Sequence, residues 1–364
     1  MKGWLVGLVL LMVAVPLVAQ TGDLPRKDGK PLEALAGLET EYGVVRTSEG
    51  IRLRSIVTRP VGTRGTLPAV FLAKWVSCGS VELSDARPSE VKEIAVRSGL
   101  AMIRVERAGE GDSEGPACGA LDYDTEVRHY REAFDQLSRH RWVDPDRIII
   151  FGSSLGSTTA PLIAQGKKVA GIIVQGGGAV TYLERMINFD RLNLERSGAV
   201  PVDRIHDEML KRIEFQGLYL RDKRTPEQIA VERPHLAGVW PSLLGSDAKP
   251  HYGRPYAWHW QAADKDFLAA WTTIRAPVMV VYAEYDQFES RHGHRLIVDT
   301  INRLRPGTAT WLEIEKAGHD LLIYSSPETA YRFEGGQSQP ELFVQPAIAW
   351  LRKVADLAPL FAGK

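Results

Sequence analysis

A serine lies between two glycines directly after an apolar run. The segment Gly152-Ser153-Ser154-Leu155-Gly156 has the spacing G-x-S-x-G and follows the run at 148–151. A serine on a tight turn from a strand into a helix needs small residues two positions away on either side, because a Cβ there would collide with the strand or the helix. Such a turn exposes the hydroxyl beside a helix N-terminus, which favours developing negative charge. The pattern predicts Ser154 as a nucleophile, although plain glycine turns share the spacing.

The elements that would position this serine follow a strand and helix alternation. A strand-like run at 42–45 and a segment with period-two alternation at 51–57 predict a hairpin around Glu49-Gly50. The later apolar runs do not alternate, which is typical of strands buried on both faces, and they lie at 69–73, 100–105, 148–151, 169–174, 278–281 and 310–314. Helix-like segments lie at 88–98, 123–139, 155–165, 291–303 and 345–355. This order predicts an α/β fold with a mostly parallel sheet and helices on both faces.

The alternation is interrupted once, between residues 180 and 271. This predicts a core formed by 38–179 and 272–364, with 180–271 inserted as a cap after the sixth strand. Aromatic side chains of the insertion either line a pocket above Ser154 or fill the core of the cap itself. They are Trp240, Tyr252, Tyr256, Trp258, Trp260 and Trp271.

Beyond the serine turn, the chain resembles the α/β-hydrolase superfamily from about residue 40 to residue 355. The segment 104–115, R-V-E-R-A-G-E-G-D-S-E-G, resembles the R-G-x-G-x-S loop that follows the fourth strand in that family. The segment 142–148, W-V-D-P-D-R-I, resembles the branch that contains dienelactone hydrolases and prolyl oligopeptidases. The resemblance implies an α/β-hydrolase fold, with a mostly parallel eight-stranded sheet, helices on both faces and an inserted helical cap.

The family order of functional residues is nucleophile, acid, histidine, and this chain has candidates in that order. Asp286 ends the segment A-P-V-M-V-V-Y-A-E-Y-D, which resembles the family's strand before the acid, and His319 lies in E-K-A-G-H-D, which resembles its G-A-G-H loop. The resemblance implies that His319 is the general base for Ser154 and that Asp286 orients the imidazole. Three other carboxylates remain alternatives for the acid: Glu284, Glu289 and Asp320.

An oxyanion hole needs two backbone N–H donors. Leu155, the residue after the candidate nucleophile, would supply the first. The family commonly has His-Gly in the loop after the third strand, whereas this chain has Lys74-Trp75-Val76. A backbone donor does not depend on its side chain, so the departure is compatible with activity. Val76 is the expected second donor, with Trp75 as the alternative.

The two cysteines are too few for a disulfide scaffold or a zinc cluster. Cys78 follows the oxyanion loop and Cys118 follows the fourth strand. Adjacent strands of this fold end at the same edge, so the two cysteines are predicted to form a disulfide that stiffens the loop, with two free thiols as the alternative. His292 and His294 form an H-x-H pair without an evident third ligand, so no metal or other cofactor is predicted.

The N-terminus has the layout of a secretory signal. Lys2 precedes a short apolar run, which predicts a signal peptide at 1–19, a flexible lead-in at 20–37 and a secreted or periplasmic protein without stable membrane insertion after cleavage. Lys and Arg number 45, as do Asp and Glu, so no net field favours nucleic acid as a partner.

These features predict a secreted serine hydrolase that cleaves a carboxylic ester of a small molecule through an acyl-enzyme on Ser154. A peptidase acting on short peptides and an acyltransferase are alternatives, because they share the covalent intermediate. A non-catalytic binding protein is a more distant alternative, since such proteins usually lack one of the three residues.

Overall fold

A computed structural model of the chain describes residues 24–83, 89–240 and 251–358, so the predicted signal peptide at 1–19 lies outside the described residues. One eight-stranded sheet has the order β1-β2-β4-β3-β5-β6-β7-β8. Its strands are β1 (Leu38–Arg46), β2 (Arg52–Pro60), β3 (Leu67–Ala73), β4 (Ala101–Val105), β5 (Val143–Ser153), β6 (Gly171–Gln175), β7 (Val278–Ala283) and β8 (Ala309–Ile314). Strand β2 is antiparallel to β1 and β4, and the other neighbours are parallel. The predicted hairpin and mostly parallel sheet are confirmed.

Eleven α-helices occur in the described part of the chain. They are α1 (Glu90–Arg97), α2 (Tyr123–Leu137), α3 (Leu155–Ala164), α4 (Tyr182–Ser197), α5 (Ile205–Gln216), α6 (Pro226–Glu232), α7 (Tyr256–Ala263), α8 (Phe267–Thr273), α9 (Arg291–Leu304), α10 (Pro327–Tyr331) and α11 (Glu341–Val354). No helix among the described residues is both long and apolar enough to cross a bilayer.

The sheet separates two layers of core. Successive side chains of a strand point to opposite faces, so in β3 Phe71 packs with α2, α3, α8 and α9. Its neighbours Val70 and Leu72 pack on the other face with α1 and α11. Both faces are therefore covered, which explains why these strands have uninterrupted apolar sequences rather than alternating ones.

Helices α4 to α7 lie between β6 and β7, and with their connections they form what we call the cap. Its aromatic core packs against Tyr123 and Leu155 of the sheet domain. Helix α8 lies at the end of the predicted insertion, yet Trp271 is fully buried in the core on the sheet. The helix contacts both parts of the protein, because it packs on α3 and α9 while Phe267 and Ala270 belong to the aromatic core of the cap.

The predicted flexible lead-in is corrected for residues 24–37. Leu24 is 2% exposed and Glu33 is 5% exposed. Glu33 forms a buried ion pair with Arg104 of β4 at 2.7 Å, and Arg54 of β2 donates to the carbonyl of Leu24 at 2.8 Å. The segment is anchored by partners far away in sequence, which its composition does not reveal.

Candidate active site

The turn that carries Ser154 has the strained geometry that its sequence predicts. Ser154 has a φ of 53° and directly precedes helix α3, while its N–H donates to the carbonyl of Gln175 on β6 at 2.7 Å. A Cβ on Gly152 would lie 2.4 Å from the carbonyl oxygen of Gly156, and one on Gly156 would lie 1.8 Å from that of Ala73. Both glycines are therefore needed for close contact between β5, α3 and the end of β3.

The structure brings the other two predicted residues to this serine. His319, in the loop after β8, has its Nε2 2.8 Å from the Oγ of Ser154. Its Nδ1 lies 2.8 Å from the Oδ2 of Asp286, in the loop after β7. The second carboxylate oxygen of Asp286 accepts the backbone N–H groups of Phe288 at 2.8 Å and Glu289 at 3.0 Å. The acid is thus held by backbone donors while it orients the imidazole.

The three alternative carboxylates have other partners. Glu284 accepts the backbone N–H of Lys316 at 2.7 Å, and Asp320 accepts the hydroxyl of Tyr324 at 2.6 Å. Glu289 pairs with Arg185 of helix α4. Among the predicted candidates, therefore, Asp286 is the carboxylate that contacts the ring of His319.

Asp286 and His319 shift each other's pKa values in opposite directions. Burial alone would lower the pKa of His319, but the charge and hydrogen bond of Asp286 outweigh it and raise that pKa above its ordinary 6.5. Burial alone would raise the pKa of Asp286, but the attraction of His319 outweighs it and keeps that pKa below its ordinary 3.8. Asp286 therefore stays ionised beside the imidazole of His319.

A cavity of about 830 Å³ opens above these residues. Two of the cap aromatics singled out in the sequence, Tyr252 and Trp258, line it, while Trp240, Tyr256 and Trp260 pack in the core of the cap. Phe288 also lines the cavity, and its ring centre lies 4.8 Å from that of His319. The site is mainly apolar with a few polar groups, the usual character of a small-molecule pocket.

The loop after β3 lines the same cavity. Val76 and Trp75 both contribute to its wall, next to Leu155 at the start of α3. Cys78 and Cys118 are joined by a disulfide, with 5.8 Å between their Cα atoms. The bond links the oxyanion loop to the loop after β4, at the edge of the sheet where the sequence predicted that they would meet.

The H-x-H pair has a structural explanation. His294 is fully buried and uses both of its ring nitrogens. Its Nδ1 donates to the carbonyl of Ser290 at 2.9 Å, and its Nε2 accepts the N–H of Gly177 at 3.1 Å. This histidine fixes the start of α9 against the segment after β6.

The alpha/beta hydrolase family model matches residues 83–332. The chain belongs to the alpha/beta hydrolase family. A curated relative, a polyketide transferase of Stachybotrys chlorohalonatus, is 29% identical over 132 residues, which are 35% of this chain and 41% of the relative. The chain thus spans less than half the length of that relative.

Solved structures show the fold of this alpha/beta hydrolase at low sequence identity. The alpha/beta hydrolase GrgF of Penicillium has a TM-score of 0.53 at 14% identity, covering 88% of this chain and 100% of that protein. An esterase of Pyrococcus furiosus has a TM-score of 0.51 at 12% identity, covering 90% of this chain and 97% of the esterase. A puromycin-hydrolyzing peptidase of Mycobacterium tuberculosis has a TM-score of 0.52 at 15% identity, covering 90% of this chain and 41% of the peptidase.

Sequence reasoning missed a charged pair in the pocket of this hydrolase. Arg185 of α4 lines the cavity with Tyr182, and its partner Glu289 is 2% exposed. Burial raises the pKa of Glu289 to about 7; the attraction of Arg185 opposes this shift, and the charge of Asp286 adds to it. The only sequence signal was the position of Glu289 three residues after Asp286, since nothing in the pattern of α4 indicated Arg185.

Proposed function

We propose that the protein is a serine hydrolase that cleaves carboxylic esters of small molecules. The observation that carries the proposal is the alignment of Ser154 Oγ, His319 Nε2 and Nδ1, and Asp286 Oδ2, with both hydrogen bonds at 2.8 Å. A serine hydroxyl is a weak nucleophile at neutral pH, so it needs a neutral imidazole in hydrogen-bond reach and a carboxylate that holds the ring.

The proposed reaction has two halves. In acylation, Ser154 Oγ attacks the ester carbonyl carbon while Nε2 of His319 accepts its proton, and the carbonyl oxygen becomes an oxyanion facing the N–H groups of Leu155 and Val76. The intermediate collapses as the imidazolium donates its proton to the departing alcohol. In deacylation, His319 accepts a proton from water as the water attacks the acyl carbon, and returning that proton to Oγ releases the acid and restores Ser154.

The lining of the cavity supports an apolar or aromatic acyl or alcohol group. Tyr252, Trp258 and Phe288 line the cavity that also contains His319, and burying an apolar group against such side chains is favourable. Activity on short acetate esters together with no activity on larger aryl esters would contradict this assignment.

Acyl transfer is the second candidate. The curated relative is a polyketide transferase, and a transferase would use the same acyl-enzyme with an acceptor other than water. The two functions differ only in the fate of that intermediate. A transferase would convert an ester and an added alcohol into the new ester in preference to the free acid, and a peptidase would cleave matched anilides as well as esters.

The direct test is hydrolysis of p-nitrophenyl acetate and butyrate, combined with labelling by a fluorophosphonate. Wild type is expected to turn over and to be labelled, and Ser154→Ala is expected to lose both. The matched control is Ser153→Ala, which should retain labelling because the Oγ of Ser153 lies 3.4 Å from Gln175 Oε1 rather than beside His319. A folded wild type that is neither active nor labelled would contradict the proposal and favour a binding protein.

We also propose export to the periplasm or the medium. The support is the charge and apolar run of residues 1–19, together with a disulfide, which persists in oxidising compartments. Fractionation of cells that produce the full chain, followed by N-terminal sequencing, tests this; retention of Met1 on cytosolic protein would contradict it.

A further inference from the structure

The loop after β3, at residues 74–80, carries the proposed second oxyanion donor, and we call it the oxyanion loop. Five charged side chains are buried together beneath it, and we call them the ion cluster: Lys74, Arg107, Glu110, Glu126 and Arg254. Each is at most 3% exposed. Lys74 lies 3.0 Å and Arg107 3.1 Å from Glu110, while Arg107 lies 2.6 Å and Arg254 3.2 Å from Glu126. Burying charges is costly even when they are paired, so a role beyond stability is a reasonable explanation for them.

The cations of the ion cluster also bind the backbone of the oxyanion loop. Arg107 donates to the carbonyl of Trp75 and, at 3.2 Å, to that of Ser77. Arg254 donates to the carbonyl of Val76 at 2.9 Å and to that of Cys118 at 2.6 Å. Consecutive carbonyl groups of the loop therefore point into the cluster.

This arrangement fixes the direction of the N–H groups as well. In a trans peptide the C=O and the following N–H point in opposite directions, and the described residues contain no cis peptide bond. With the Trp75 carbonyl held by Arg107, the N–H of Val76 points away from the ion cluster. Arg107 also donates to the carbonyl of Lys74 at 3.4 Å, so the N–H of Trp75 points away from the ion cluster as well. Val76 and Trp75 both lie in the wall of the cavity that contains Ser154, and the ion cluster therefore orients both candidate donors.

Arg254 differs from the rest of the ion cluster because it belongs to the cap. It lies between Gly253 and the start of α7, whereas the other four residues come from the sheet domain. The cap backbone is packed tightly here, since a Cβ on Gly119 would lie 2.9 Å from the carbonyl oxygen of Gly253. Docking of the cap therefore brings a guanidinium to the loop of the sheet domain, 178 residues earlier in the chain.

We infer that Arg254 is a positioning residue that couples docking of the cap to formation of the oxyanion hole. Arg107 holds the peptide that precedes Val76 through the Trp75 carbonyl, and Arg254 holds the peptide that follows Val76 through the Val76 carbonyl. Glu126 pairs with both arginines, so both peptides that flank Val76 are fixed together only when the cap is docked. The inference rests on the proposed function, because it assigns a role in the same reaction.

The test compares Arg254→Met with Arg212→Met. Arg212 is a matched control, since it is a buried cap arginine, 6% exposed, whose carboxylate partner Asp190 also lies in the cap. Fluorophosphonate titration counts intact sites, and kcat and KM for p-nitrophenyl butyrate are expressed per titrated site. Affinity for a trifluoromethyl ketone, which forms a hemiketal oxyanion on the serine, reports on the oxyanion hole directly.

Arg254→Met is expected to lower kcat per site by about 10- to 100-fold, less than complete loss of an oxyanion donor, which costs about 10²- to 10³-fold. KM should change by less than about 3-fold, and ketone affinity should fall in parallel with kcat/KM, because the missing interaction acts on the oxyanion. Arg212→Met should lower thermal stability without changing kcat per site or ketone affinity.

Arg254→Lys keeps the charge but not the forked donor that spans two carbonyls, and it provides a second variant if Arg254→Met does not fold. It is expected to show a smaller loss, of about 10-fold in kcat. Unchanged kcat and ketone affinity per titrated site in the folded Arg254 variants would overturn the inference and leave a purely structural role. An unlabelled, inactive wild type would instead refute the proposed function, and the inference with it.

Discussion

Removing the disulfide gives a change in stability that follows from the length of chain it closes. Cys78 and Cys118 are 40 residues apart in sequence. In the chain-entropy relation, a loop of this length restricts the unfolded chain by about 13 cal/mol/K, which is about 4 kcal/mol at 25 °C. We therefore expect Cys78→Ser/Cys118→Ser to lower the free energy of unfolding by about 4 kcal/mol.

Calorimetry or tryptophan fluorescence would measure the change as a shift of the melting temperature. An unfolding entropy of about 2.1 cal/mol/K per residue gives about 0.76 kcal/mol/K for the whole chain, so the expected decrease is about 5 °C. Wild type in reducing buffer is the matched control, because Cys78 is exposed to the reductant and the sequence is unchanged. Both samples should show a similar decrease.

A decrease of less than about 1 °C in both samples would refute the loop-closure reasoning, because the unfolded chain would then be no freer without the bond. In Cys78→Ser/Cys118→Ser, activity per titrated site should change only slightly, although the free energy of unfolding falls. The carbonyl of Trp75 is held by Arg107 and that of Val76 by Arg254, and neither contact needs the disulfide.

Two further predictions concern the proposed triad and the turn that carries Ser154. The kcat/KM for ester hydrolysis should rise with pH through a midpoint above 6.5, because His319 must be neutral to accept a proton and its pKa is raised. Asp286→Asn should lower the rate by about 10⁴-fold and shift the midpoint to lower pH. A midpoint that does not shift in this variant would contradict the electrostatic account. Gly156→Ala should destabilise the protein by about 1–3 kcal/mol and reduce activity, because the new Cβ would lie 1.8 Å from the backbone oxygen of Ala73. The matched change Gly217→Ala, whose Cβ would meet nothing within 4 Å, should alter stability by less than about 1 kcal/mol; equal effects of the two would refute the steric argument.

Much of the fold was predictable because it depends on short stretches of chain. Uninterrupted apolar runs indicated strands that are buried on both faces, and these runs form the strands of the parallel part of the sheet. The two glycines around Ser154 indicated that backbone segments approach closely there. In the structure, the backbone at Gly152 lies against Gly156 and the backbone at Gly156 lies against Ala73. The position of Asp286 and His319 came from resemblance to a family, since a carboxylate and an imidazole after two strands have no local spacing that connects them.

Only the tertiary structure decided which polar groups meet. Glu284, Glu289 and Asp320 remained alternatives to Asp286 until their partners were seen, because a side chain's neighbours depend on how loops from different strands converge. Composition indicated a flexible lead-in at residues 20–37, yet within it Glu33 pairs with a buried arginine 71 positions later.

The ion cluster is the clearest case. Each of its members is an ordinary charged residue in the sequence, and Arg254 lies 178 residues after the carbonyl of Val76 that it binds. Periodicity and motif spacing record how the backbone folds over a few turns or strands, and they carry no information on such pairings. The sequence by itself determined the sheet and the turn at Ser154, whereas long-range packing decided how the loop after β3 is held, because buried charges take their partners from whichever segments the fold brings into contact.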